Sequence, residues 1–144
     1  MAHEREAGFE EIGQYARFAA QVHHTKRKLL SFLIDRKENG ARVCGYGAPG
    51  KGNTLLNYCA IGTDFLDFTV DRNPYKHGRF TPGMHIPIHP VSAIDEVRPD
   101  YLLILPWNLK NEIISQMRHV GDWGCKFVLP IPGVEIIDPR EFRS

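Results

Sequence analysis

The sequence predicts an α/β domain, a doubly wound, mostly parallel sheet of about five strands in the order 3-2-1-4-5 with a long N-terminal helix. Three observations predict it. Short apolar runs alternate with helical stripes from Arg42 onward, the pattern of successive strand–helix–strand units. A glycine-rich segment, Gly45 to Thr54 (GYGAPGKGNT), stands between the first such run and the next helix. The run Asp100–Leu105 (DYLLIL) is too apolar to have an exposed face, as befits a central parallel strand.

The elements follow in order. Ile12, Tyr15, Ala19, Val22, Leu29 and Leu33 recur at helical spacing, with Lys26 in the one polar slot of that stripe. The helix stops at Asn39-Gly40, where glycine can take the left-handed conformation. At 1.5 Å per residue it is about 40 Å long, more than one sheet face of a small domain requires. Residues 1–40 are therefore expected to form a helical segment packing on the domain or on domains absent from this chain, and residues 41–144 the domain itself. Arg42–Gly47 reads as the first strand, Lys51–Ile61 as a helix and Leu66–Asp71 as the second strand. Arg72 to Met84 is rich in proline, glycine and basic residues and reads as a long loop. His85–Ile88 suggests a short strand, and Val91–Val97 a helical turn that Ser92 could cap. Leu109, Ile113 and Met117 mark a helix over Leu109–His119. Lys126–Leu129 is another strand, and Val134–Ile137 a candidate last one at an edge. In this order Arg42–Gly47 lies at the centre, so the loops Gly47–Asn53 and Pro106–Asn108 should open onto one crevice.

Composition excludes several classes of function. The 144 residues carry 18 Lys+Arg and 17 Asp+Glu, a net charge of +1, which gives no broad field for nucleic acid or an anionic membrane. Any anion site must be local. No apolar run reaches the length of a membrane span, and the first residues (MAHEREAGFEE) are polar. Cys44, Cys59 and Cys125 are widely spaced in apolar surroundings and read as buried thiols of a reducing, cytoplasmic compartment, with no zinc or disulfide pattern.

The glycine segment is the densest chemical signal. Gly45-Tyr46-Gly47-Ala48-Pro49-Gly50 satisfies G-x-G-x-x-G, and Asp71 ends the next strand at the distance of the dinucleotide fingerprint. In such a site glycines let backbone approach a phosphate, helix N–H groups point at it, and the acid takes a ribose diol. The segment also begins a P-loop pattern, but Gly52 stands where a magnesium-binding Ser or Thr should be. A methyl-donor site would place an acid two residues before the first glycine, and that position is Val43. Gly47, Ala48, Lys51, Gly52, Asn53, Thr54 and Asp71 are the candidate binding residues of this region. Lys51 is notable because a cation in the first turn of a helix is disfavoured by the dipole, and so is better explained by an anion.

The loop after Asp71 adds Arg72, Lys76, His77 and Arg79 within a segment shaped by Pro74, Gly78, Pro82 and Gly83. Arg72 and Arg79, with Lys76, are candidate contacts for a diphosphate, to which arginine offers a bidentate fork. Trp107 either stacks on a base or packs in the core, and Asn108 either contacts the ligand or caps the helix that follows. His85 and His89 do not share a helix face, and His23 and His24 point in different directions, so neither pair suggests a metal.

Three separated segments, GYGAPGKGNTLLNYCAIG, DFTVDRNPYKHGRFTPGMHIPIHP and PDYLLILPWNLKNEI, carry a resemblance. Together they resemble the C-terminal domain of the S-adenosylmethionine-dependent sugar C-methyltransferases, which modify nucleotide-linked deoxysugars in bacteria. The likeness runs from about Tyr15 to about Ile137. It implies a three-part enzyme: a zinc-binding domain, a domain that binds S-adenosylmethionine, and a Rossmann-like C-terminal domain associated with the nucleotide-sugar, here expected to be dTDP-linked. This chain is expected to be the last part. The resemblance implies no cofactor in this chain, no catalytic residue carried by it, and no activity alone. Its expected partners are the nucleotide-sugar and the two missing domains, with neither nucleic acid nor membrane, and the long amphipathic helix invites a homodimer. Two other readings stand beside this one: a self-standing NAD-binding module, and a structural domain with a degenerate site.

Overall fold

In the computed structural model, which describes residues 23–141, the chain folds into a six-stranded sheet with helices on both faces. Helix α1 is described over residues 23–38. The stripe residues Ile12, Tyr15, Ala19 and Val22 lie outside the described residues, whereas Leu29 and Leu33 are fully buried. Lys26, the polar interruption of the stripe, places its ammonium 5.1 Å from the centre of the Tyr58 ring. At the C-terminus Gly40 adopts φ +80°, and its N–H and that of Ala41 donate to the carbonyls of Lys37 and Arg36. This pair of bonds satisfies carbonyls that the helix leaves open, and it explains why the helix stops there.

The strands are β1 (Val43–Tyr46), β2 (Thr69–Val70), β3 (Ile88–His89), β4 (Tyr101–Ile104), β5 (Lys126–Leu129) and β6 (Glu135–Ile137). Their order is β3-β2-β1-β4-β5-β6, with only β6 antiparallel. The predicted order is thus correct and is extended by the edge strand. Side chains alternate across the sheet. Cys44, Tyr46, Leu102, Ile104, Phe127 and Leu129 pack with α3 (Ala93–Val97) and α4 (Lys110–Gln116) on one face. Val43, Leu103, Leu105 and Val128 pack with α1 and α2 (Gly50–Cys59) on the other. Period-two alternation with apolar residues on both faces is what a sheet covered on both sides requires.

Several boundaries differ from expectation. The second strand shrinks to Thr69–Val70, because Phe65 and Leu66 donate their N–H groups to Gly62 in a turn. Leu66 is nevertheless fully buried; its apolar character reports the core and not a strand. Helix α2 ends before Ile61, since Ala60 takes the left-handed conformation and the Ile61 N–H closes back on Leu56. The last predicted helix is split into a 3-10 turn over Trp107–Leu109, α4, and a second 3-10 segment over Arg118–Trp123. Of its stripe, Ile113 and Met117 are buried but Leu109 is exposed. Ser92 does precede α3, but no side-chain bond caps that helix.

The polar segment after Asp71 is more ordered than a plain loop. It contains a 3-10 turn, Pro74–Lys76, capped where the Tyr75 N–H donates to Asn73 Oδ1. Beyond it the chain doubles back: Phe80 bridges Pro87, Ile88 N–H donates to Arg79, and Thr81 bonds Ile86 through both backbone and hydroxyl. His85, expected in a strand, sits at the tip with φ 55°. The strand that follows is Ile88–His89.

Candidate functional site

The C-terminal ends of β1, β2 and β4 meet at the point where the strand order reverses, the usual position of ligands in open α/β sheets. A recess of about 210 Å³ lies there, lined by Gly47, Ala48 and Pro49 from the glycine loop and by Pro106 and Leu109 from the loop after β4. Both loops therefore open onto one crevice, as the topology predicted. An adjoining recess of about 490 Å³ lies between the segment after β2 and the end of α4, walled by His77, Val91, Met117 and His119. Tyr46, Asp71, Arg72 and Gln116 line both.

The glycine loop is built by close packing. A Cβ on Gly45 would stand 2.8 Å from the Thr69 hydroxyl, one on Gly47 2.7 Å from Pro106, and one on Gly52 2.7 Å from Leu105. Gly47 also needs its φ of +90° to turn the chain out of β1. A Cβ on Gly50, by contrast, would meet nothing within 4 Å. The third glycine of the dinucleotide fingerprint is there to let helix and strand approach; here Gly52 does this, and Gly50 does not. The same crowding leaves no room at Gly52 for the hydroxyl side chain that a P-loop needs.

Two charged side chains hold the loop. Asp71 Oδ2 accepts from Ala48 N–H at 2.9 Å, and Asp71 Oδ1 accepts from Asn73 N–H at 2.9 Å. Lys76 Nζ donates to the Ala48 carbonyl at 3.1 Å and lies 3.7 Å from Asp71 Oδ2. The Ala48 peptide is thus clamped on both sides. The carboxylate that a dinucleotide site would reserve for ribose is committed to backbone. Val43, two residues before the first glycine, is fully buried in the sheet.

The candidate residues divide accordingly. Gly47, Ala48, Asp71, Arg72 and Lys76 converge on the crevice. Lys51 is exposed on the first turn of α2 and lines neither recess. Gly52 is buried against Leu105, just past β4, and the Thr54 hydroxyl donates to the Gly50 carbonyl within its own helix. Asn53 reaches the Ala48 carbonyl at 3.5 Å. Arg79 is exposed in the doubled-back segment, outside both recesses. Trp107 is half-buried and packs against the α1–α2 core. Asn108 is exposed and caps neither the 3-10 turn nor α4.

Sequence reasoning passed over Tyr46, Gln116, Met117 and His119. Tyr46 is an x position of the glycine pattern, and its parity with Cys44 puts it on the α4 side of the sheet at the strand end. Burial pushes its phenol pKa up, opposed by the nearby Arg72 charge. His119 donates from Nε2 to Asp95 at 2.6 Å, and His77 from Nε2 to the Asp71 carbonyl at 2.6 Å. Among the described residues no group of three or more His, Cys, Asp or Glu side chains could hold a metal ion, and no helix is long and apolar enough to cross a membrane.

Comparison with known proteins agrees with the motif resemblance. The family described as "C-methyltransferase C-terminal domain" matches residues 1–132. The C-methyltransferase NovU of Streptomyces niveus is 36% identical over 138 residues, covering 95% of this chain. The chain spans about a third of that relative's length, 33%. The crystal structure of UDP-D-quinovosamine 4-dehydrogenase from Vibrio fischeri aligns with 65% of this chain and 79% of its own, at 22% identity and a TM-score of 0.46. With a family match over nearly all of its length and the two-faced sheet that its motifs imply, the chain belongs to the C-methyltransferase C-terminal domain family.

Proposed function

We propose that this chain is the module of a C-methyltransferase that helps to hold a nucleotide-linked deoxy-keto-sugar, with dTDP as the expected carrier. The observation that carries the reading is the crevice at the switch point, into which Arg72 brings positive charge beside the paired Lys76 and Asp71, with a cavity large enough for a nucleotide. In the whole enzyme a base outside this chain would take a proton from the carbon beside the sugar ketone, and the resulting enolate carbon would attack the methyl group of S-adenosylmethionine, breaking its methyl–sulfur bond and releasing S-adenosylhomocysteine. That chemistry needs groups placed around both substrates. The methyl donor and zinc are expected in other domains: Val43 stands where a methyl-donor loop would have its acid, and the three cysteines form no zinc-binding cluster. Alone, the chain should bind without methylating. The committed Asp71 carboxylate speaks against the alternative of an NAD-binding module.

The test is a chemical-shift titration of the chain with dTDP, NAD and S-adenosylmethionine in parallel. The expected result is a saturable response to dTDP centred on residues 46–49 and 71–77, and none comparable with the other two. Tight NAD binding without a dTDP response would overturn the reading, and silence with all three would favour a structural domain. An assay with S-adenosylmethionine and a dTDP-linked keto-sugar should give no methylated product from this chain by itself.

A further inference from the structure

Residues 47–49 of the glycine loop have little left with which to bind a phosphate. Gly47 N–H donates to the Val70 carbonyl, and the Gly47 carbonyl accepts from the Thr69 hydroxyl. Ala48 N–H is taken by Asp71 and the Ala48 carbonyl by Lys76. Pro49 has no N–H to give. A phosphate-cradling loop depends on free amides at these positions, and the first turn of α2 with Lys51 lies outside both recesses.

The opposite side of the crevice has the reverse character. Tyr46 is only 5% exposed, yet among the described residues its hydroxyl has no hydrogen-bond partner, and it lines both recesses. The hydroxyl is not itself buried: it keeps solvent access, at the crevice, where a ligand atom can reach it. Arg72 is exposed, lines the same two recesses, and has no ion pair or hydrogen bond among the described residues. Of the two acids that line these recesses with it, Asp71 is already balanced by Lys76 and two backbone N–H groups, and Glu112 lines the smaller recess alone. On the recess walls His77 and His119 donate from Nε2 to the Asp71 carbonyl and the Asp95 carboxylate, and among the described residues neither Nδ1 has a hydrogen-bond partner.

Resting on the nucleotide-sugar reading, we propose that the diphosphate of the ligand is held on the α4 side of the crevice, by the Arg72 guanidinium and the Tyr46 hydroxyl, and that the glycine loop supports this subsite without touching the anion. Arg72 supplies the fork that matches two phosphate oxygens. Tyr46 donates its hydroxyl hydrogen from the floor. Asp71 and Lys76 serve by fixing the Ala48 peptide and so the mouth of the recess.

Calorimetric titration of the chain with dTDP decides the matter, with inorganic pyrophosphate as competitor. Arg72→Ala should weaken dTDP about tenfold or more, as loss of a charge-assisted contact does. Tyr46→Phe should weaken it by about threefold to tenfold, with the melting temperature unchanged, and Lys51→Ala should leave the affinity within about twofold. Pyrophosphate should displace dTDP from the unaltered chain. If Lys51→Ala abolishes binding while Arg72→Ala and Tyr46→Phe do not alter it, the nucleotide reading stands and this subsite falls. If the unaltered chain binds no dTDP, the nucleotide reading itself fails and takes the subsite with it.

Discussion

Gly50 and Gly52 are two residues apart in the same first turn, and only one of them is required. Alanine at position 52 would press its Cβ to 2.7 Å from Leu105 Cβ, a close approach to a short, inflexible part of a side chain on the β4 side. Gly52→Ala should therefore destabilise the fold by about 1–3 kcal/mol, in the range of core overpacking. Gly50→Ala meets open space, and by restricting the unfolded chain should be neutral or stabilising by up to about 1 kcal/mol. Urea unfolding of the two variants beside the parent checks both; equal costs would contradict the packing argument. The sequence shows both glycines but not this difference, because which one faces β4 depends on where the helix begins.

The clamp on Ala48 joins three elements: the loop leaving β1, the end of β2 and the 3-10 turn at Pro74–Lys76. Asp71→Asn keeps the size of the side chain but cannot accept with both ends, so one amide loses its acceptor. The expected cost is about 1–3 kcal/mol, together with faster hydrogen exchange at the Ala48 or Asn73 amide. Unchanged exchange at both would show that the clamp is not what holds the loop. At this scale the sequence is a good guide to the kind and order of elements and a poorer one to their ends. Leu29 and Leu33 of α1, and the alternating residues of β1, β4 and β5, lie where their periodicity put them. Boundaries failed where a backbone turn overrode the apolar pattern, at Leu66, Ala60 and Leu109.

Across the whole molecule the three cysteines are free and buried, as their apolar surroundings predicted. Burial is the main cause that pushes the Cys44 and Cys125 thiols up to about 12, from an ordinary value of 9.0. Between those values the unfolded chain releases the proton while the native chain keeps it, so stability falls as pH rises, by up to about 1.4 kcal/mol per unit for each thiol. Below the ordinary value both states hold the proton and the term vanishes. Cys125→Ala should thus cost more stability at pH 8 than at pH 10, measured as the gap from the parent in urea; a gap that does not narrow would contradict the burial. What the sequence determined by itself is the local and periodic part: helix stripes, strand alternation, the glycine turn, the buried thiols, and the family motifs. Those follow from the chain's own spacing and from residues near one another along it. Which groups are free at the crevice was decided only by the tertiary structure. Asp71 was legible as the acid at the strand end, but its commitment to Ala48, 23 residues away, was not. Nor was the meeting of Tyr46 and Arg72 with residues of α4 and the segment after it. A hydrogen bond across the sheet ends consumes or spares a group according to where other elements come to rest, and no spacing along the chain records that.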